Sequence, residues 1–334
     1  MTRRTARRGV PRGALGIAFA GVLLTVGEVA LRLAGVGPAY QADLIGGWRM
    51  LPEMHAKRMT GVREQADFIV TTNADGLRTD VPRERRAGVQ RVAVMGDSTT
   101  FGWGVDDGGT VTDGLRAALD ADGGAAVEVL NAGQPGYTTT QAAVFFDAVV
   151  QHYRPDLVVL FLPLHDHNRV LVSDREHLRG PGGPVSAARV VLATRSRLYQ
   201  VLRQAVFPLT GSAFLLPDQS GGEPRVPRVS DDERAQALGE MQATLATWGG
   251  RLAVGHLPFI SDLEAGRAEP RVGEDWARAW SAAAGMPVVD ARACCAAGSG
   301  HLVLPNDPGH LRAEGNLAAG RAAARPVRAA LAKR

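Results

Sequence analysis

The chain has two cysteines, and they are adjacent, Cys294-Cys295. A bridge between neighbours closes a strained ring, so these thiols build no disulfide framework, and without a partner cluster they make no cysteine-rich structural zinc site. Lysine is nearly absent, Lys57 and Lys333 standing alone, so positive charge is arginine charge. A basic footprint is also missing once the first residues are set aside. The formal net charge is +4, but Arg3, Arg4, Arg7, Arg8 and Arg12 all precede the first acidic residue; without those five the chain carries 33 basic against 34 acidic side chains. That balance excludes the charge signature of a nucleic-acid binder. No internal repeat or extended low-complexity tract is present, so no repeat architecture is indicated.

A long uncharged run is lacking too. Ala14 to Gly27 is strictly uncharged but shorter than the roughly 20 residues a spanning helix needs. Extension past Glu28 and Arg32 to Val36 reaches that length, and those two charges, four apart, can pair on one helix face or sit at an interface. Arginines ahead of an apolar run are the pattern of a secretory signal or signal anchor. The expectation adopted is an uncleaved single-pass anchor over 13–36, with 1–12 cytoplasmic and the body extracytoplasmic in the cell membrane. A cleaved signal peptide and a buried helix of a soluble protein are the alternatives.

Residues 37–90 are a polar, irregular approach in which FIVTTNADGLRTD combines a short strand with the turn Asn73-Ala-Asp-Gly76. From Val92 the pattern changes. Short apolar runs recur as RVAVMG, VEVLNAG, DLVVLFLPL, RLAVGHLPF and MPVVDA, separated by alanine- and leucine-rich stretches of helical character. Strand alternating with helix predicts right-handed crossovers and about five parallel strands in a three-layer α/β/α, flavodoxin-like sandwich over 91–330. An unusually long segment at about 170–250, with a possible helix RSRLYQVLRQAVF, is either a lid over the site or plain surface elaboration.

The run VAVMGDSTTFGWGV stops a buried strand at Gly96-Asp97-Ser98. In open α/β sheets chemistry gathers at the carboxyl ends of strands, so Ser98 stands where a nucleophile is displayed; alternatively Asp97 or Ser98 ends a turn or caps the helix near Asp113. Three further segments fall at ends of the same strands: NAGQPGYTTTQ from Asn131, LHDHNR from Leu164, and NDPGHLRAEG from Asn306. A serine hydroxyl needs an imidazole to take its proton as it attacks, and an Asp three residues before a His can hold that imidazole in the right tautomer.

In these residues, from about Asn73 to Gly320, the chain resembles the SGNH, or GDSL, hydrolase family. That family carries a Gly-Asp-Ser turn, a glycine after the second strand, an Asn-Asp after the third and a late Asp-x-x-His; three of the four blocks stand here in order. The amino-terminal run and NADGLRTD also resemble its membrane-tethered bacterial members. The resemblance implies Ser98 as nucleophile, His310 as general base and Asp307 as the orienting carboxylate. It further implies an oxyanion hole from the Ser98 N–H, the N–H of Gly136 (or of Gly133), and a side chain at the asparagine position. This chain has His165 there, followed by the expected Asp166. An imidazole N–H can replace the amide, and Asn168 swinging in is the other option. His165-Asp166-His167 also permits a metal reading, but no distant ligand cluster accompanies it, and no metal or organic cofactor is expected.

The resulting expectation is a serine esterase cleaving O-acyl, in particular O-acetyl, esters of a small molecule or of cell-envelope or extracellular polysaccharide through an acyl-enzyme. The membrane is its other partner, and no nucleic acid is expected. Acyl transfer to a sugar hydroxyl, and a noncatalytic glycan-binding or assembly protein on the same fold, are the competing readings.

Overall fold

The computed structural model describes residues 12–34, 40–43, 47–61, 65–162, 164–178, 192, 196–202, 226–269 and 274–332. Residues 1–38 with 182–215 form one compact unit, and 39–181 with 216–334 form another.

In the first unit, helix α1 (Arg12–Leu33) covers the segment expected to span a membrane. Phe19, Val22, Leu23, Leu24 and Val26 are each more than half exposed on it. Yet among the described residues no helix is long and apolar enough to cross a membrane. Glu28 and Arg32 interrupt the apolar stretch, paired at 2.7 Å. The Glu28 carboxylate also accepts the N–H groups of Arg197 (2.9 Å) and Leu198 (2.8 Å) and the Ser196 hydroxyl (3.0 Å). It thereby caps the helical residues 197–202, the described part of the helix expected from Arg195.

The second unit begins with two small antiparallel ladders, β1 (Tyr40–Asp43) with β2 (Gly47–Met50) and β3 (Lys57–Met59) with β4 (Phe68–Val70). The α/β layers then follow as β5 (Gln90–Gly96), α2 (Ser98–Phe101), α3 (Val111–Ala121), β6 (Val127–Gly133), α4 (Thr139–Ala148) and β7 (Leu157–Phe161). Next come β8 (Arg169–Val170), α5 (Asp174–Leu178), β9 (Val226–Pro227), α6 (Asp231–Ala246), β10 (Arg251–His256), α7 (Ile260–Ala265), α8 (Glu274–Ala283), β11 (Val288–Asp290) and α9 (Ala313–Ala332).

Five strands form one parallel sheet in the order β11-β10-β7-β5-β6, the flavodoxin-like arrangement expected. Because successive strand residues face opposite sides, Val92 and Val94 pack with Leu115 of α3 and Ala323 of α9, while Ala93 and Met95 pack with Phe146 of α4 and Leu238 of α6. Helices cover both faces, which is why these strands are apolar without alternation. The helices start where side chains satisfy their free N–H groups: Thr110, Thr138 and Ser230 form capping boxes with Asp113, Gln141 and Glu233. At the amino end of the sheet, Arg91 and Glu128 are register partners on β5 and β6 and form a buried ion pair at 2.6 Å.

The approach segment is more ordered than its polar sequence indicates. Met50, Met54, Met59, Phe68 and Val70 form a third apolar cluster that takes in Phe101 and the partly buried Trp103 from the loop after β5. Trp103 meets Phe68 edge-on, with ring centroids 5.3 Å apart. Cys294 and Cys295 are free thiols half-buried against the sheet, and burial together with Cys295 pushes the Cys294 thiol up to about 12.

Candidate active site

The sheet order reverses at β5, since the chain runs from β5 outward to β6 and then returns to β7 on the other side. Crevices form at the carboxyl ends of strands flanking such a point. The loops after β5, β6 and β7 carry Ser98, Gly136 and His165.

Gly96 lets β5 end abruptly. A Cβ there would lie 2.3 Å from Thr100 Oγ1 and 2.9 Å from the Phe161 carbonyl, with φ at +153°. The one-turn helix α2 begins at once with Ser98, and Asp97 caps it, its Oδ1 accepting the Thr99 N–H (2.9 Å) and hydroxyl (2.7 Å). Asp97 is thus a capping residue, but of the helix that starts at Ser98; the helix near Asp113 is capped by Thr110.

Far along the chain, the turn before α9 brings two residues to Ser98. Asp307 folds back on its own turn, Oδ1 accepting the N–H groups of Gly309 and His310 at 3.0 Å each. Its Oδ2 lies 2.7 Å from His310 Nδ1, and His310 Nε2 lies 2.7 Å from Ser98 Oγ. Turn chemistry at Asp-Pro-Gly and an aligned Ser-His-Asp line are therefore the same feature. Burial raises the Asp307 carboxyl, but the two backbone N–H groups and the adjacent His310 outweigh it and hold it below its ordinary value of 3.8. A carboxylate kept ionised there fixes the His310 proton on Nδ1 and leaves Nε2 to accept from the hydroxyl.

The two candidate glycines separate on hydrogen bonding. Gly133 donates its N–H to Asn131 Oδ1 (3.1 Å), whereas the N–H groups of Gly136 and Ser98 have no acceptor among the described residues. Gly136 has φ at +79°, and a Cβ there would stand 3.2 Å from Trp48 Cζ2. Trp48, on β2, donates Nε1–H to the Pro135 carbonyl (2.8 Å), and the Tyr137 hydroxyl donates to the Trp48 carbonyl. Arg228 reaches the Gly136 carbonyl from the other side (3.3 Å) while pairing with Asp174. The glycine loop is braced on both flanks.

After β7, Asp166 is 1% exposed and its oxygens accept the Thr139 N–H (2.8 Å), the Thr139 hydroxyl (2.7 Å) and Arg234 Nε (2.8 Å). It welds this turn to α4 and α6. His167 is pushed toward the neutral form by burial and by Arg234. His165 is part-exposed. The Asn168 amide nitrogen lies 3.4 Å from its Nδ1, so a neutral ring carries its proton on Nε2. Nε2 faces Asp97 Oδ2 at 3.8 Å, beyond hydrogen-bond reach.

The insertion enters and leaves through the β8–β9 ladder. Most of its interior, and with it the lid reading, lies outside the described residues. Trp48 and Arg228 were not signalled by any motif, and Asn168 was expected only as an alternative oxyanion donor. Asn168 stands three residues after His165, the one local hint to its role.

A family model of the GDSL-like lipase/acylhydrolases matches residues 94–318. A comparison with curated proteins finds no match. Among solved structures, the lipase/acylhydrolase from Enterococcus faecalis is 19% identical, with 72% of this chain and 96% of that chain covered at a TM-score of 0.44. A catalytic mutant of an acetylxylan esterase from Geobacillus stearothermophilus is 13% identical, with 71% and 94% covered at 0.39. The match over two thirds of the sequence encloses every loop that carries the site, and the chain belongs to the GDSL-like lipase/acylhydrolase family, hydrolases that act on ester bonds.

Proposed function

We propose that the protein is a membrane-anchored, extracytoplasmic serine esterase that removes O-acetyl groups from cell-envelope or extracellular polysaccharide. The observation that carries the chemistry is the unbroken line Ser98 Oγ, His310 and Asp307, each step 2.7 Å. Ser98 attacks the ester carbonyl as its proton passes to His310 Nε2. The tetrahedral oxyanion is received by the N–H groups of Ser98 and Gly136 and by His165 Nε2–H, and His310 then protonates the departing alcohol. Water repeats the sequence on the acyl-enzyme. A histidine within reach of the serine favours this reading over a noncatalytic binding protein.

The location rests on the arginines ahead of α1 and on its exposed apolar side chains. The substrate class follows from that location and the family. The full-length chain is expected to stay with the membrane fraction through a high-salt wash; recovery in the supernatant removes the anchor from this reading.

For the oxyanion donor, the Asn168 contact favours His165 as donor and Asn168 as the group that sets its tautomer. With p-nitrophenyl acetate and acetylated polysaccharide as substrates, His165→Ala is expected to lower kcat about a hundredfold or more with little change in KM. His165→Asn, which puts an amide at this position, is expected to recover most of the loss. Unchanged turnover in His165→Ala assigns the third donor elsewhere.

A further inference from the structure

We infer that Gln65, which precedes the family-matched region, is a positioning residue for the acid of the triad, holding Asp307 by its carboxamide N–H. Gln65 is 8% exposed, and its Nε2 lies 3.3 Å from Asp307 Oδ2 and 3.5 Å from the Pro305 carbonyl. Asp307 Oδ2 is the oxygen that bonds His310 Nδ1. The amide therefore shares the atom on which the imidazole's orientation depends.

The element that carries Gln65 is fastened to the nucleophile's side of the site. The Ile69 N–H donates to Asp106 Oδ1 (2.7 Å), the Asp107 N–H donates to the Ile69 carbonyl (3.2 Å), and Arg78 donates to the carbonyls of Ile69, Phe101 and Val105. Phe68 packs in the cluster with Phe101, the last residue of α2. One hairpin thus ties the loop of Ser98 to the turn of Asp307, two segments separated by more than two hundred residues. Among the described residues, Gln65 is a side chain by which it reaches that turn.

Gln65 also carries a feature that a purely structural residue has no use for. Its Oε1 is buried without a hydrogen-bond partner among the described residues. An unpaired buried acceptor opposes folding, and methionine fills nearly the same volume without one. A position serving packing alone is better filled by an apolar side chain; one that serves the carboxylate needs the N–H.

The charged and titratable side chains on the neighbouring elements include Asp97 and His165, 3.8 Å apart, Arg78 with Asp107, Asp106 beside it, Asp262 on α7, whose Ile260 N–H meets the Pro308 carbonyl, and Arg312, whose Nε turns to the Val303 carbonyl. Arg63 and Glu64, beside Gln65 in sequence, lie outside the described residues. None of those named donates to Asp307 Oδ2. Loss of the Gln65 donor concentrates negative charge on that oxygen, which favours the protonated imidazole, so the base is neutralised only at higher pH.

The proposal rests on the triad reading, and full-length Gln65→Met, Gln65→Glu and Ser98→Ala chains test the two separately. Gln65→Met is expected to keep or raise the urea midpoint and to lower kcat about fivefold, the kinetic equivalent of one ordinary hydrogen bond, with KM within twofold. The acidic limb of its kcat/KM profile is expected to move up by roughly half a pH unit, and further in Gln65→Glu, where a second carboxylate faces the first. An unmoved limb in both folded variants overturns the assignment. So does a lowered midpoint in Gln65→Met with the limb in place, the signature of a packing role. Activity surviving in Ser98→Ala overturns the triad reading instead.

Discussion

Ser98→Ala is expected to abolish ester hydrolysis, lowering kcat by about 10⁴-fold or more while KM for p-nitrophenyl acetate changes little. The hydroxyl is the only atom lost, and its place on the first residue of α2 is set by Gly96 and by the Asp97 cap, neither of which the substitution touches. The folded state therefore survives and the assay reads chemistry alone. His310→Ala is expected to lose a similar factor, and the double variant hardly more than either single one, because the base has no function without the nucleophile it deprotonates. Multiplying losses in the double variant are the outcome that breaks the triad assignment. They mean that His310 and Ser98 act separately despite a contact of 2.7 Å.

The largest effect on stability is expected at Glu128. Its carboxylate takes two bonds from the fully buried Arg91, at 2.6 and 2.8 Å, and one from Arg86 at 2.6 Å. Glu128→Ala strands the Arg91 guanidinium in the sheet with only the carbonyls of Arg83, Glu84 and Tyr153 as partners. Breaking a buried pair from one side costs about 3–5 kcal/mol, read from urea unfolding. Arg91→Met with Glu128→Leu removes both charges and is expected to recover most of that loss. The pH dependence has a definite sign. Burial raises the Glu128 carboxyl, but Arg91 and Arg86 outweigh it, leaving it below the unfolded value near 4.5. Its contribution is complete above that value and is lost as pH falls through the lowered folded one, so wild type and variant converge in acid. A gap that persists unchanged into strong acid shows that the pair is not its source.

How much of this was legible beforehand depends on how far each signal travels along the chain. The five strands were visible because each is a short apolar run, and a strand buried on both faces needs nothing else. Ser98 announced itself through a glycine and a capping aspartate beside it; Asp307 and His310 announced themselves by a spacing of three. The approach segment was underread for a related reason. Its ladders are three or four residues long, too short for an alternation to register, and the apolar residues it buries are scattered methionines. The helix expected to span a membrane was read from an apolar run behind a cluster of arginines; α1 covers that segment, and among the described residues no helix is long and apolar enough to cross a membrane.

The sequence by itself determined the parallel α/β sandwich and pointed to the three residues of the Ser-His-Asp line, because periodicity, turn chemistry and close motif spacing are properties of neighbouring residues; the order of the strands came from the tertiary structure. The structure separates the two candidate glycines by hydrogen bonding, the Gly133 N–H being taken by Asn131 while that of Gly136 has no acceptor among the described residues. It also placed Asn168 against the ring of His165 and Asp166 against Arg234, so that adjacent residues in one turn do different work. And it brought Gln65 to Asp307 across 242 positions of sequence, a contact that no local pattern encodes because the sheet and the hairpin packed on it create the proximity.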